Sequence, residues 1–496
     1  MRTEVHPPDA AVLIYNLFVQ TPTLSLGYLD GGVIVLFLLA ILGLGFSAKV
    51  RDNSVLQYLA AGRSLSMPAF VATLVSTWYG GILAIGDSVK AFGFGGILLF
   101  GVPYYVFAII YALFFAERVR GAEQISIPER LAQRWGKPAG LTGAALIFML
   151  AVPAAHVLML GTMLHLFTGW DLKVATVVAT AVGTLFLYKG GLLADVRAGL
   201  LAFVMMYVGF FVIAIWCLTH YPPSDAIRHL DPALKKWDGG VGLIGFLTFF
   251  VAASWTLVDP GFHQRVASAR SPQVGKRGLY VCVGFWMLFD ILSMITGLYA
   301  ISILNPSLSG LEFFPRLGNQ ILPPGLKAIF LCGLTGTILS AMVGYTLVSG
   351  ATFGREFLAR LKPSMQDKEI KTWTKVGFAW SCVLAVGIAF WVNNVVLDLW
   401  YAYSGAVVGA LLLPVTAVYV PRIRLKSSSG WATASMLGGF ITSFAWLIWC
   451  KRTDNPEYKV SISGQEIVLG TLVPGLIVSA IVLCLGEVSG RRALKT

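Results

Sequence analysis

The chain alternates between long apolar segments and short polar loops. Thirteen such segments follow one another, at residues 31–47, 67–92, 96–116, 139–168, 172–188, 198–219, 239–258, 279–303, 325–350, 376–394, 396–419, 431–450 and 467–485. Segments of this length must be helical in a bilayer, because lipid offers no hydrogen-bond partner to the backbone and about 20 apolar residues are enough to cross. The pattern predicts an all-α polytopic membrane protein with about 13 transmembrane helices.

Composition narrows the class of protein further. Of 496 residues, 57 % are hydrophobic and 12 % are charged, and the mean hydropathy is +0.76. A water-soluble protein of this size could not bury so much apolar surface. This excludes a disordered chain, a coiled coil and an ordinary cytosolic enzyme. The six cysteines lie in apolar stretches without a CxxC pair, which favours packing roles over disulfides or metal clusters.

The net charge of +13 resides in the loops. If the N-terminus lies outside, the inside loops carry 26 Lys and Arg residues and the outside loops carry 10. The positive-inside rule therefore predicts a multi-pass protein of the plasma or inner membrane, with its N-terminus outside and its C-terminus in the cytoplasm. The charge excess comes without a nucleic-acid-binding motif, so we expect no nucleic-acid partner.

The loops are too short to hold a soluble domain, and the longest have about 20 residues. The sequence contains no P-loop, no metal-ligand spacing and no Ser/His/Asp set, so we expect neither ATP-driven pumping nor an enzyme. The expected partners are a small organic solute and the lipid bilayer, without an obligatory protein partner or an organic cofactor. A secondary transporter is favoured; the alternative is a transporter-like sensor that binds solute without moving it.

Two apolar segments are interrupted by small and polar residues. The second contains STWYGG at 76–81, and the seventh contains ASWT at 253–256 followed by DPG at 259–261. These residues disfavour a continuous helix. The interruptions lie five segments apart, and an odd number of crossings turns the second copy upside down, as in transporters built from inverted repeats. The alternative is two ordinary glycine-kinked helices.

The predicted organisation has four parts. Residues 1–66 form an external N-terminus, a first helix and a cytoplasmic loop, 67–220 the first inverted repeat, 239–419 the second inverted repeat, and 420–496 two further helices with a cytoplasmic tail.

Polar groups inside spans are costly, so each one is a functional hypothesis. His156 lies in the fourth segment and is either a packing group or a ligand. Asp290 lies in the eighth and either carries a proton or cation or pairs with a hydroxyl. Aromatic residues around Tyr401 begin the eleventh segment and form either an interface belt or a lid over a cationic substrate.

Several motifs, in order over residues 28–485, give the chain a family resemblance. They are AGRSL at 61–65, STWYGG at 76–81, GGL at 190–192, Asp259-Pro260 with Gln264-Arg265, and the glycine-rich stretch 325–340. The sequence resembles the sodium:solute symporter family, and in motif most nearly its choline-transporter-like branch. The resemblance implies a LeuT-type fold, with a 5+5 inverted-repeat core, one extra helix before it and two after it. It also implies Na⁺ as the coupling ion.

The resemblance implies a sodium site that is incomplete in this chain. Its ligands map to the backbone carbonyls of Ser76, Tyr79 and Thr337 and the hydroxyl of Ser340. Ala341 replaces a second hydroxyl. Ala198, Gly199 and Ala202 stand where the family usually has Thr, Asp and Gln. Sodium needs several oxygens to replace its hydration shell, so binding should be weakened. Proton coupling through His156 or Asp290, or uncoupled transport, stays open.

The same resemblance implies where the solute binds. His156 matches a polar position that faces the substrate, and a neighbouring ammonium group would suit the tryptophans. The expected substrate-binding residues are Ser76, Trp78, Gly80, His156, Trp255, Thr256, Tyr401 and Ser404. The expected function is import of a small organic solute by alternating access.

Overall fold

The computed structural model describes residues 24–50, 52, 54–228, 230–391, 403–420, 428–455, 458–462 and 465–493. Over these residues the chain is almost entirely helical, which confirms the predicted fold class. Tyr401, one of the predicted substrate residues, lies outside the described residues.

Ten helices are found among the described residues before 221. They are α1 (Tyr28–Phe46), α2 (Val55–Ala60), α3 (Met67–Trp78), α4 (Ile82–Phe92), α5 (Val102–Phe114), α6 (Ala116–Gly121), α7 (Ile127–Ala151), α8 (Ala154–Thr168), α9 (Leu172–Thr184) and α10 (Leu187–His220).

The described part of the chain after residue 221 has eleven more helices and one hairpin. The helices are α11 (Pro223–Arg228), α12 (Gly242–Ala252), α13 (Pro260–Ser268), α14 (Pro272–Ile303), α15 (Gly310–Ile321), α16 (Leu326–Ala351), α17 (Ala359–Leu361), α18 (Asp367–Trp391), α19 (Gly405–Tyr419), α20 (Ser429–Arg452) and α21 (Leu472–Ala493). Short 3-10 helices occupy Ala61–Arg63, Tyr79–Gly81 and Ala253–Leu257, and π-helical turns occupy Ile97–Gly101 and Thr352–Leu358.

Eleven helical stretches of the described residues are long and apolar enough to cross a membrane. The helices α9 and α19 are apolar but shorter, with 13 and 15 residues. The prediction of a polytopic membrane protein is confirmed, whereas the count of thirteen crossings stays a prediction.

Both predicted interruptions are helix breaks. The helix α3 gives way to the 3-10 turn Tyr79–Gly81 before α4 begins. In the second, α12 passes into Ala253–Leu257, and α13 starts only after Asp259. The Asp259 carboxylate accepts a hydrogen bond from the Phe262 backbone N–H at 2.7 Å, and Pro260 takes the first helical position, where its missing N–H costs nothing.

Two predicted segments differ in detail from the structure. The segment 139–168 is divided between α7 and α8, because Pro153 removes a backbone donor at the junction. The segment 467–485 begins too early. Residues Gln465–Val468 form strand β2, which pairs antiparallel with β1 (Lys459–Ile462), and α21 begins at Leu472.

The centre of the bundle is α16, which packs along α10. In its most apolar stretch 89 % of the α16 residues are buried. A Cβ at Gly333 would lie 2.6 Å from the Met205 carbonyl oxygen, and one at Gly209 would lie 3.1 Å from the Phe330 Cα. These glycines let the two backbones approach closely, as small residues do between membrane helices. The α16 helix also reaches both breaks, since Ala341 faces Gly80 and the Tyr345 hydroxyl bonds to Asp259.

Candidate functional site

A cavity of about 130 Å³ lies beside the first helix break. Its wall combines residues of the break with side chains from α4, α5, α8, α14 and α16. The lining residues that bear on function are Trp78, Tyr79, Ser88, Phe100, Tyr104, His156, Trp255, Asp290, Ser293 and Tyr345. Three of the predicted substrate residues, Trp78, His156 and Trp255, are among them.

Trp78 is fixed by aromatic neighbours. Its ring centroid lies 5.2 Å from those of Tyr104 and Trp286 and 5.3 Å from that of Phe262. Such contacts stabilise an aromatic side chain beyond its burial alone. The cavity wall at Trp78 is therefore preorganised rather than loosely packed.

His156 and Gly80 bring α8, the first break and α16 into contact. The His156 ring stacks on Tyr345 with centroids 5.2 Å apart. A Cβ at Gly80 would lie 1.9 Å from the Ala341 Cβ and 2.9 Å from the His156 Cδ2. The absence of a side chain at Gly80 is therefore what lets the break reach α16. The Tyr345 hydroxyl donates to the Asp259 carboxylate at 2.7 Å, which links this contact to the second break.

Trp255 separates the central cavity from two others. It also lines a cavity of about 30 Å³ and a larger one of about 620 Å³, both of which Ser404 lines as well. The indole N–H of Trp255 has no hydrogen-bond partner among the described residues. Trp255 therefore offers a donor where the cavities meet.

The other predicted substrate residues that the structure describes do not line the central cavity. The Thr256 side chain is buried and donates to the Ala253 carbonyl at 3.0 Å. Ser76 is buried, and its hydroxyl contacts that of Ser340 on α16. Gly80 lies against Ala341 of the same helix. Their part in solute binding stays a prediction.

Two residues of the predicted sodium site meet where α3, α10 and α16 converge. The hydroxyl oxygens of Ser76 and Ser340 are 3.0 Å apart, and both side chains are buried. A Cβ at Gly199 would lie 3.4 Å from the Ser340 hydroxyl and 3.6 Å from the Ser76 hydroxyl. The position that lacks the expected carboxylate thus faces both hydroxyls. We call Ser76, Gly199 and Ser340 the hydroxyl cluster.

A buried ion pair, which the sequence did not reveal, lies next to this cluster. The Arg265 guanidinium, fully buried, is 2.5 Å from the Asp195 carboxylate and donates to the Thr77 hydroxyl at 3.3 Å. A Cβ at Gly344 would lie 2.8 Å from the guanidinium. Asp195 precedes Gly199 by one helical turn, and Gly344 follows Ser340 by one turn. The ion pair is therefore about 6 Å from the hydroxyl cluster along both helices.

Asp290 lies in the middle of α14 and reaches the central cavity. The Tyr79 hydroxyl lies 2.8 Å from an Asp290 oxygen and 2.8 Å from the Trp286 carbonyl oxygen. The Tyr105 hydroxyl donates to the other carboxylate oxygen. Of the alternatives raised by the sequence, pairing with hydroxyls is therefore observed. Tyr105 gave no sequence signal, since it looks like any aromatic residue of an apolar helix.

The described structure has one broken helix from each predicted repeat, both in contact with α16, around a cavity at mid-bundle. This architecture is that of a secondary transporter with discontinuous helices. The family model of the "Sodium:solute symporter family" matches residues 58–438. The chain belongs to this family, whose named members are transporters, and it is not an enzyme.

Curated relatives are distant but cover most of the chain. The sodium/glucose cotransporter 4 of Danio rerio is 24 % identical over 79 % of this chain and 67 % of its own length. The uncharacterized symporter YidK of Escherichia coli (strain K12) is 22 % identical over 76 % of this chain and 71 % of its own length. The high affinity choline transporter 1 of Homo sapiens is 20 % identical over 73 % of this chain and 66 % of its own length.

Solved structures show the fold. A Na⁺-coupled sialic acid symporter in a substrate-bound outward-open state superposes with a TM-score of 0.76 at 16 % identity, over 94 % of this chain and 98 % of that chain. A manganese transporter of Eremococcus coleocola gives 0.53 at 14 % identity, over 90 % of this chain and 99 % of that chain. The LeuT-type fold expected from the resemblance is confirmed.

Proposed function

We propose that this protein is a secondary active transporter that imports a small organic solute by alternating access, with sodium coupled at a reduced site. Its N-terminus lies outside and its C-terminus in the cytoplasm, and its repeats are residues 67–220 and 239–419. The hydroxyl cluster carries the proposal. Two buried hydroxyls from α3 and α16 lie 3.0 Å apart, and neither belongs to the lining of the solute cavity.

The oxygens suit a hard cation such as sodium, which prefers carbonyl and hydroxyl ligands to nitrogen or sulfur. Ser340 and Ser76 belong to different helices, so an ion bound by both favours the arrangement in which α3 and α16 are together. That differential affinity is how an ion shifts the equilibrium between outward-facing and inward-facing states. Because Ala341 and Gly199 supply no oxygen from their side chains, we expect weaker binding than a complete site would give.

Equilibrium binding of radioactive sodium to the purified protein tests the ion site. Saturable binding should occur in the wild type, disappear in Ser340→Ala and become tighter in Ala341→Ser and Gly199→Asp. Thr335→Ala is the matched control, because its hydroxyl donates to the Leu331 carbonyl on the same helix. A wild type without saturable binding, together with a gain in Ala341→Ser, would mean that the site is vestigial and that sodium is not coupled.

Uptake into sealed vesicles tests transport itself. A sodium-coupled symporter accumulates solute above its external concentration when a sodium gradient is imposed. A transporter-like sensor binds solute and accumulates none, so retained binding without uptake would refute the transport function.

Transport without a coupled ion is the second candidate, and the Asp195–Arg265 pair favours it. The Arg265 guanidinium lies next to the hydroxyl cluster, and its positive charge would repel a cation bound there. Asp195 offsets part of this repulsion, but its own charge is then committed to Arg265. If this candidate is correct, solute counterflow proceeds at the same rate with sodium and with its replacement by N-methylglucamine.

A further inference from the structure

Among the described residues that line the central cavity there is one carboxylate group and no Lys or Arg. The carboxylate belongs to Asp290, near the middle of a 32-residue helix and therefore far from either membrane surface. Ionisable groups at this depth are rare, because a charge in a medium of low dielectric constant needs a partner. The cavity is the place where a partner can reach it.

The protein supplies hydroxyls to Asp290 but no countercharge. Among the described residues, no Lys, Arg or His forms an ion pair with it. Its oxygens face the hydroxyls of Tyr79 and Tyr105. An ionised carboxylate has about four acceptor positions, so two tyrosines leave about two of them for a ligand. A donor that carries a positive charge would satisfy both the hydrogen bonds and the charge.

Much of the rest of the cavity wall is aromatic. Trp78, Phe100, Tyr104 and Trp255 line it, and Trp78 is held in place by its ring contacts. The faces of aromatic rings attract cations, tryptophan most strongly. Carboxylate and aromatic rings in one cavity therefore select the same sign of charge.

The wall argues against other solutes. An organic anion would approach Asp290 with no Lys or Arg to offset the repulsion. A sugar needs a hydrogen-bond partner for each of its buried hydroxyls. Besides the tyrosines, the cavity wall offers only a few hydroxyls among the described residues, those of Thr77, Ser88 and Ser293. The volume of about 130 Å³ restricts the ligand to a small molecule.

We propose that the central cavity binds a small organic ammonium cation, with its N–H groups donating to the Asp290 carboxylate and its apolar part against Trp78 and Trp255. The proposal deepens the transport function and rests on it for its physiological meaning. The binding step does not depend on which ion, if any, is coupled.

A set of probes that differ in charge at similar length tests the proposal directly. Butylammonium, pentan-1-ol and pentanoate are added to the purified wild type, and binding is followed by quenching of tryptophan fluorescence. We expect saturable binding of butylammonium and a preference over both other probes of roughly ten- to a hundredfold, since hydrogen bonds to charged groups contribute that much. Equal binding of the three probes, or no saturable binding of butylammonium, would overturn the proposal.

The Asp290→Asn variant separates charge from shape. It should lose the preference for butylammonium and retain any weak binding of pentan-1-ol, because the amide keeps the size and hydrogen-bonding capacity of the acid without its charge. Asp87→Asn is the control, since Asp87 is an acid of α4 that lies against Gly310 and does not line the cavity. If Asp290→Asn binds butylammonium as the wild type does, Asp290 is not the counterion and the proposal fails.

The outcomes remain distinguishable from those of the proposed function. The charge preference of the wild type requires no variant, so it decides the matter even if Asp290→Asn fails to fold. Solute accumulation in vesicles with no preference for cations would retain the transport function and reject the ammonium site. Cation binding without accumulation would retain the ammonium site and reject the transport function.

Discussion

Replacing Gly80 by alanine should separate the first helix break from α16. The new Cβ would lie 1.9 Å from the Ala341 Cβ, whereas non-bonded carbons settle at about 3.5–4.0 Å, so the two backbones must move apart by about 2 Å. The Ala341 Cβ is fixed to its backbone and cannot turn away. Overpacking costs about 1–3 kcal/mol, and we expect the upper end here. The backbone at Gly80 is not left-handed, so alanine gains back up to about 1 kcal/mol of helix propensity. The net loss should be about 2 kcal/mol.

The assay is thermal unfolding of the purified protein in lipid nanodiscs, together with sodium binding and solute uptake. Gly80→Ala should melt earlier and lose both activities, because the hydroxyl cluster and the cavity share the break. The double variant Gly80→Ala/Ala341→Gly should recover most of the stability, with His156 Cδ2 at 2.9 Å accounting for the remainder. Gly284→Ala is the control, since no atom lies within 4 Å of its new Cβ. If Gly80→Ala melts as the wild type does, or if the double variant is merely additive, the steric argument is refuted.

Two further predictions concern buried charges. Asp195→Leu should destabilise the protein by about 3–5 kcal/mol, because it leaves Arg265 buried without its partner. The double variant Asp195→Leu/Arg265→Met should lose much less stability. Equal melting temperatures of the single and double variants would contradict this. Asp30 is fully buried, accepts a hydrogen bond from the Gly325 backbone N–H at 2.8 Å and lies 3.9 Å from the Lys327 ammonium group. Asp30→Asn should therefore lower the free energy of unfolding by about 1–3 kcal/mol in the same assay. A melting temperature equal to that of the wild type would show that the carboxylate charge is not needed there.

The features most readily predicted from the sequence are those that depend on local preference. Long apolar runs fix the helices, and the glycine pair at 80–81 and the Asp259-Pro260 step predict the two breaks, because these residues act on their own backbone. Trp78, His156 and Trp255, which the family resemblance implied as substrate residues, line the cavity.

The features that were missed depend on packing between distant segments. Tyr105 and Asp290 are 185 residues apart, and nothing in the apolar segment around Tyr105 indicates that its hydroxyl has a carboxylate to meet. The hairpin of β1 and β2 lies partly inside an apolar run that composition assigns to a helix. The ion pair of Asp195 with Arg265 was missed because the two residues are 70 positions apart in the sequence and meet only in the folded bundle.

The position of Asp195 links the missing carboxylate of the sodium site to the coupling question. The resemblance places an acid at the position of Gly199, where the structure puts two hydroxyls within reach. In this chain the acid of the same helix lies one turn earlier, about 6 Å away, and its charge is matched by Arg265. The hydroxyl cluster therefore keeps its oxygens but has lost its nearby negative charge. A sodium ion bound there would be a buried cation with only neutral ligands and a guanidinium within one helical turn. In the first case, sodium binds weakly and is weakly coupled to transport. In the second case, the positive charge of Arg265 takes the place of the sodium ion, and transport is not coupled to sodium. Sodium binding to Gly199→Asp and to Ala341→Ser, compared with the wild type, distinguishes these cases. The wild type, in which no oxygen has been restored, binds measurable sodium only if the first case is correct.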